Sequence, residues 1–244
     1  MDGMNLNSWK QNLLDLLFPA SCVSCGVLGS VFCAPCASVI PLSEPACFVC
    51  NARKSSGSIC AGCRPRAPYL TRVWWATSYD NEHVRNALIQ FKYNSNQALA
   101  EVLANFIVAS IKKRAQAHGV GIPANAAILA IPLHPRKKRL RGFNQSELLA
   151  VHIARDLSIP LLPPYIVERI KNTAPQAQAS GKEHRIKNME HAFAVDPAHA
   201  NKIKNRVVIL VDDIATTGST LTDAARALKT AGAAHVWGLV VAKG

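Results

Sequence analysis

Asp212 and Asp213 stand side by side after the apolar run RVVILV at 206–211, and ATTGST follows at 215–220. A continuous β-branched run of this kind makes a central parallel strand. Carboxylates at the C-terminal edge of such a strand can hold sugar hydroxyls or a Mg²⁺-bound sugar. The Thr, Gly and Ser residues beyond them can wrap a phosphate with backbone N–H groups and hydroxyls. The helix expected from Ser219 adds its positive dipole end to the same anion, and Gly218 leaves room for close approach. Read only as a strand–turn–helix with an acidic N-cap, the segment gives no reason for an acid pair beside an anion-binding loop.

A second chemistry lies nearer the N-terminus. All eight Cys fall between residues 22 and 63, as the C-x-x-C pairs Cys22/Cys25, Cys33/Cys36, Cys47/Cys50 and Cys60/Cys63. Two intervening residues let both sulfurs of a pair reach one tetrahedral ion, and two such knuckles complete a Cys₄ shell suited to Zn²⁺. Gly26 and Gly62 sit where a knuckle needs an unhindered backbone. Two closed shells leave no open coordination position, so the zinc is expected to be structural, with about 10 kcal/mol per site acting as folding energy. Sequential pairing groups Cys22, Cys25, Cys33 and Cys36, then Cys47, Cys50, Cys60 and Cys63. It encloses the shorter loops and is the favoured scheme; a cross-brace would alternate the pairs. An iron–sulfur cluster or a redox couple are the competing uses.

A third feature is PLHPRKKRLRGFNQSE at 132–147, with five Lys or Arg among the six positions 136–141. Residues 133–143 read as a basic loop. Its cations would face a phosphorylated ligand or nucleic acid, or form a solvated charge run. His134 fits an anion contact or a turn equally. Of Trp74 and Trp75, one ring is expected in the core and one partly exposed, with base stacking as the alternative.

These residues need a scaffold. Residues 19–68 are dense in Pro and Gly and show no long helix or strand pattern, so this module needs metal staples. Beyond Pro68, Val73–Tyr79 reads as a strand, and Glu82–Tyr93 and Ala98–Ala117 read as helices. Ala126–Ile131 reads as a buried strand, and Asn144 as the cap of a helix to about Leu157. Residues 170–190 read as a polar, mobile loop. Ser219–Ala231 is expected to be helical and Val236–Val241 a last strand. Alternating strands and helices imply an α/β fold with a parallel sheet and helices on both faces. The expected domains are 1–68 and 69–244.

Composition narrows the class. Hydrophobic residues make up 49% of the chain, which excludes general disorder. Residues 1–65 carry four Lys/Arg and three Asp/Glu; residues 66–244 carry 24 and 12, a net of +12 out of the total +13. An anionic partner for the larger domain follows. No run approaches the length of a membrane span. The N-terminus, with Asp2 and Asp15 and no basic segment, does not read as a secretory signal. Leu13, Leu14, Leu16, Leu17 and Phe18 would form a short amphipathic helix capping the first module. Eight Cys without an export signal point to the reducing cytoplasm.

From Val208 to Thr220 the chain resembles, without a gap, the phosphoribosyl pyrophosphate signature of type I phosphoribosyltransferases. That resemblance implies that Asp212 and Asp213 hold the 2- and 3-hydroxyls of the ribose. Ile214, Ala215, Thr216, Thr217, Gly218, Ser219 and Thr220 would form the ligand loop, with Ala215–Thr220 around the 5-phosphate and Mg²⁺ accompanying the ligand. The 133–145 segment falls where such enzymes bind pyrophosphate, which implicates Leu133, His134, Arg136, Arg139, Arg141, Asn144 and Gln145. One departure is plain: purine-salvage members place an acid, the general base, where this chain has Thr216.

RGFNQSELLA at 141–150 with PLHP before it, YDNEHVRNALIQFKY at 79–93, RIKNTAPQAQ at 169–178 and RIKNMEHAF at 185–193 together resemble the ComF family of competence-associated proteins, ComFC and GntX-like members included. The resemblance covers nearly the whole chain. It implies a double zinc ribbon joined to a type I phosphoribosyltransferase-like domain, and a role in natural transformation or use of external DNA. Residues 170–188 would be the loop that closes over the site, with Lys171, Lys182, Arg185 and Lys187 as closing cations. Two functions are compatible with this: phosphoribosyl transfer to an unidentified acceptor, or a non-catalytic adaptor that binds single-stranded DNA and bridges it to a helicase or recombination protein.

Overall fold

Alternating apolar segments and amphipathic helices build a sheet with both faces covered. The computed structural model describes residues 19–93, 96–171 and 191–244. In chain order the elements are α1 (Ala34–Ser38), β1 (Arg72–Ser78), α2 (Glu82–Tyr93), α3 (Leu99–His118), β2 (Ala126–Ala130), α4 (Pro135–Arg141), α5 (Gln145–Leu157), β3 (Val167–Arg169), β4 (Phe193–Val195), β5 (Val207–Ala215), α6 (Ser219–Thr230) and β6 (His235–Lys243). The main sheet has the order β1-β6-β5-β2, parallel throughout. Successive residues of β5 face opposite sides. Ile209 and Val211 join the core beneath α2, α3 and α5, while Val208 and Leu210 join the core beneath α6 and the antiparallel β3–β4 pair. Phe91, Leu103, Ile107, Leu149 and Leu228 are fully enclosed, each worth about 1.5–3 kcal/mol of burial.

The strand through the acid pair is longer than its apolar run: β5 continues through Asp212 and Asp213 to Ala215 because β6 pairs with it to Lys243. The expected basic loop at 133–143 is corrected to a helix. His134 caps α4 by accepting from the Arg136 N–H at 3.2 Å, Pro135 opens it, and Gly142 at φ +78° closes it. These are ordinary helix boundaries that the run of like charge obscured. The pair β3–β4 was not anticipated. The expected helix over 13–18 lies outside the described residues, as do Lys182, Arg185 and Lys187.

The ribbon module repeats its own local geometry. In the first knuckle the Cys22 N–H donates to Val27 O and the Gly26 N–H to Cys22 O; in the second the Cys47 N–H donates to Ala52 O and the Asn51 N–H to Cys47 O, all at 2.8 Å. Gly26 (φ +78°) and Asn51 (φ +61°) take the same left-handed position. Gly62 does not: it lies in a 3-10 turn, Ala61–Arg66, so the counterpart of Gly26 is Asn51. The module docks along β1. Buried Arg114 of α3 donates to Ser43 O at 3.1 Å and Trp75 O at 3.2 Å, and the Ser43 N–H donates to Ala76 O. Trp74 and Trp75 are both buried, which corrects the expectation of one exposed ring: Trp237 packs on Trp74, and Phe48 on Trp75.

Candidate anion-binding site

β5 delivers Asp212 and Asp213 to the carboxyl edge of the sheet. Asp213, 7% exposed, is ion-paired with Lys92 of α2, Nζ to Oδ1 3.1 Å. Asp212 Oδ1 accepts from Ser146 Oγ and from the Asp213 N–H, each at 2.9 Å. Burial, and then the neighbouring Asp213 charge, push the Asp212 carboxyl up to about 6, although Lys92 and Ser146 pull the other way. Two carboxylates in one confined site call for a cation or for hydroxyl donors.

The loop after the pair forms a pocket with Asp212, lined by Ile214, Ala215, Thr216, Gly218, Ser219 and Thr220. Gly218 caps α6 in a left-handed conformation, φ +74°, and has no side chain to satisfy the first-turn N–H groups. Apart from the Ser219 N–H, which Thr217 takes up, the first-turn N–H groups lie at the positive end of the helix beside the pocket. Thr217 is absent from the lining. Its Oγ1 accepts from the Ser219 N–H at 3.3 Å and donates to Ser219 Oγ at 3.1 Å, so it shapes the loop from within.

Cations gather opposite. α4 divides its charges by helical phase: Arg136 and Arg139 face solvent, while Lys137 and Arg141, one turn apart, are half-buried. Burial lowers the Lys137 pKa, and the charges of Arg169, Arg141 and Lys92 lower it further. His134 is lowered by desolvation, then by Arg136, Arg169, Lys137 and Arg139. Arg169 of β3 is itself lowered by burial and stabilised by the charges of Asp212 and Asp223. The charges of Arg169, Arg141 and Lys92 thus all bear on Lys137, a local positive field that favours a polyanion.

The other residues singled out in the sequence do structural work. Asn144 caps α5 by accepting from the Ser146 N–H and donates to Ile131 O at 3.0 Å, fixing the serine that holds Asp212. Gln145 accepts from Arg141 at 3.1 Å. Leu133 is half-buried beside His134. Lys171 follows Ile170, whose N–H donates to Ala192 O at 2.8 Å. Sequence reasoning missed Lys92, Lys137, Arg169 and Asp223. Asp223 of α6, 7% exposed, accepts the N–H groups of His191, Ala192 and Phe193 at 3.0, 2.7 and 3.1 Å. Nothing local marks it; only the Lys137/Arg141 spacing was available to a helical reading of 135–141.

The cysteines form two clusters in the sequential scheme, Cys22/Cys25/Cys33/Cys36 and Cys47/Cys50/Cys60/Cys63, with the four Sγ atoms of each within 4.8 Å of one another. Backbone N–H groups aim at the sulfurs, Cys33 N to Cys22 Sγ at 3.4 Å and Cys60 N to Cys47 Sγ at 3.5 Å. Burial raises the Cys22 and Cys47 thiols, but such backbone donors outweigh it and bring both down to about 6. Preformed all-thiol shells with supporting donors fit two zinc ions.

A parallel sheet with helices on both faces, an acid pair at its carboxyl edge and two Cys₄ clusters ahead of it define the class: a type I phosphoribosyltransferase-like domain carrying a zinc-ribbon module. Residues 144–243 match the phosphoribosyl transferase domain family, and residues 13–64 the double zinc ribbon domain family. Competence protein F of Haemophilus influenzae is 29% identical over 223 residues, covering 79% of this chain and 95% of its own. DNA utilization protein YhgH of Escherichia coli K12 is 28% identical over 206 residues (84% and 86%), and competence protein ComFC of Bacillus subtilis 26% identical over 206 (76% and 78%). Among solved structures, the allosteric regulatory enzyme of purine biosynthesis aligns with 62% of this chain and 29% of that one, at 15% identity and a TM-score of 0.39. The pairing of these two domains and the similarity to these relatives support a place in the ComF family.

Proposed function

We propose that the protein binds phosphoribosyl pyrophosphate with Mg²⁺ and acts in the handling of DNA during natural transformation. The observation that carries the ligand is the juxtaposition of an acid pair, a glycine-capped helix N-terminus and the cations Lys137, Arg141, Arg169 and Lys92. Together they offer hydroxyl acceptors for a ribose, a cradle for its 5-phosphate and counter-charges for a pyrophosphate. Asp212 and Asp213 face the ribose hydroxyls, Ala215–Thr220 the 5-phosphate, and Lys137 and Arg141 the pyrophosphate; Leu133, His134 and Asn144 support that wall. Mg²⁺, when bound, neutralises charge on the ligand beside the carboxylates. In transfer, the bond from ribose C1 to pyrophosphate breaks, the leaving charge develops among these cations, and a bond forms to an acceptor nucleophile. With Thr216 in place of an acid, the loop itself supplies no base for the acceptor's proton.

The competence and DNA-utilization names of the relatives support the biological role. Arg136 and Arg139, turned outward on α4, support a second reading: a single-stranded-DNA adaptor working with a helicase or recombination protein. Free thiols in such number fit the reducing cytoplasm, and among the described residues no helix is long and apolar enough to cross a membrane.

Calorimetry with Mg²⁺ and phosphoribosyl pyrophosphate tests the first reading. Micromolar binding that vanishes in the Asp212→Asn/Asp213→Asn variant is expected; no binding by folded, zinc-replete protein would overturn it. For the second, DNA affinity should fall steeply with salt, and negligible affinity at low salt would sink it.

A further inference from the structure

The second knuckle touches the phosphate loop. Phe48, directly after Cys47, is 4% exposed. A Cβ placed on Gly218 would lie 2.8 Å from Phe48 Cε1, so the loop closes onto this ring and only glycine allows it. The ring meets Trp75 edge-on, centroids 5.9 Å apart. Lys243 pairs in register with Ala215. Its Nζ donates to Phe48 O at 2.7 Å and to Asn51 Oδ1, and stands 4.9 Å from the centroids of both the Phe48 and Trp75 rings. On the same edge the Gly244 N–H donates to Ala215 O at 3.1 Å. The knuckle from Cys47 to Asn51 and the loop from Ala215 to Gly218 are therefore one packed unit, with the ring seated against Gly218 behind the loop.

Besides Trp75 and Lys243, the knuckle sets where the ring stands. Cys47 and Cys50 meet Cys60 and Cys63 through the Cys60 N–H on Cys47 Sγ at 3.5 Å, the Cys50–Cys60 sulfur contact at 3.7 Å and a core that Cys47, Ile59 and Cys63 share; an ion bound by all four sulfurs would fix that arrangement at one point. The first cluster differs: it packs on α2 and α3 through Ser24–His83 and Phe32–Phe106, away from Gly218. We infer that Phe48 is a positioning residue for the phosphate loop, through which metal occupancy of the second cysteine cluster sets affinity for a sugar 5-phosphate. The inference rests on the phosphoribosyl reading above.

The test uses full-length, zinc-loaded protein and calorimetry with three probes: ribose 5-phosphate, inorganic pyrophosphate and phosphoribosyl pyrophosphate, each with Mg²⁺. Phe48→Ala should weaken ribose 5-phosphate and phosphoribosyl pyrophosphate about tenfold, the scale of a small displacement of a positioning group. Phe48→Leu should recover most of that. Pyrophosphate affinity and a zinc content of two per chain should not change, because the cations of α4 do not touch Phe48. Cys60→Ser should weaken the sugar phosphates in the same way and Cys25→Ser should not. Equal sugar-phosphate affinity in wild type and Phe48→Ala overturns the inference while the ligand reading stands. Joint loss of pyrophosphate binding would make Phe48 a folding residue and overturn it too. If wild type binds none of the three probes, the ligand reading itself fails.

Discussion

Lys92 Nζ lies 3.1 Å from Asp213 Oδ1, with 20% and 10% of the two side chains exposed. A cation from the end of α2 is thus committed to the acid pair before any ligand arrives. Removing it leaves a buried carboxylate uncompensated. Lys92→Met should cost about 3 kcal/mol in urea unfolding, and adding Asp213→Asn should restore most of it. Additive costs in that double-mutant cycle would show that the pair is not coupled.

Asp212 makes ligand-free stability depend on pH. Its carboxyl is raised from 3.8 to about 6, so between these values the folded chain keeps a proton that the unfolded chain has lost. Its contribution is therefore fully present below pH 4, falls as pH rises to 6, and is flat above. Asp212→Asn should stabilise the unliganded protein by on the order of 2 kcal/mol at pH 7.5 and by little at pH 3.5. A difference independent of pH would contradict the assignment.

The thiols predict proton release on metal uptake. Cys36 and Cys63 are pushed up to about 12, chiefly by hydrogen bonds with Cys33 and Cys60 and by burial. Titrating reduced, metal-free protein with Zn²⁺ at pH 7 in buffers of different ionisation enthalpy should show at least one proton released per site. Buffer-independent heats would show that the thiols were already ionised.

Asp223 ties the start of β4 to α6. Asp223→Ala strands three backbone donors and should cost about 2–4 kcal/mol, with amide exchange at 191–193 rising to match. Asp223→Asn, which keeps one acceptor oxygen, should cost less. Unchanged exchange would remove Asp223 from this role.

The faces of α4 separate two anions. Lys137→Ala should weaken pyrophosphate about tenfold while Arg139→Ala leaves it unchanged, since one charge-assisted contact is worth about 1.5–3 kcal/mol at most. DNA affinity should respond in the opposite order. Equal effects would return 135–141 to an undifferentiated charge run.

The sheet, its order of strands and helices, and both cysteine clusters were legible because each is written in local pattern: apolar runs, three-to-four spacing, paired thiols. The strand, loop and helix from Val207 to Thr230 were legible for the same reason. What escaped was non-local. Lys92, Arg169 and Asp223 acquire their partners only when helices and strands far apart in sequence adjoin. The β3 and β4 strands, three residues each, are too short to show alternation. At α4, Pro135 and Gly142 did mark a helix, but the run of positive charge was read as a basic loop. Contact between Phe48 and Gly218 has no trace in either segment taken alone.

Helix α2 has the first knuckle's Ser24 on its His83 and the acid pair's Asp213 on its Lys92. Nine residues apart, these positions are about 13–14 Å apart along the axis and, at about 100° per residue, on opposite sides of it. The helix works as a strut of fixed length and fixed angular setting. A one-residue insertion between His83 and Lys92 would leave composition, polarity and helical propensity almost untouched, yet turn one end away from its partner. The spacing between those two residues is therefore as much a part of the site as the carboxylates are.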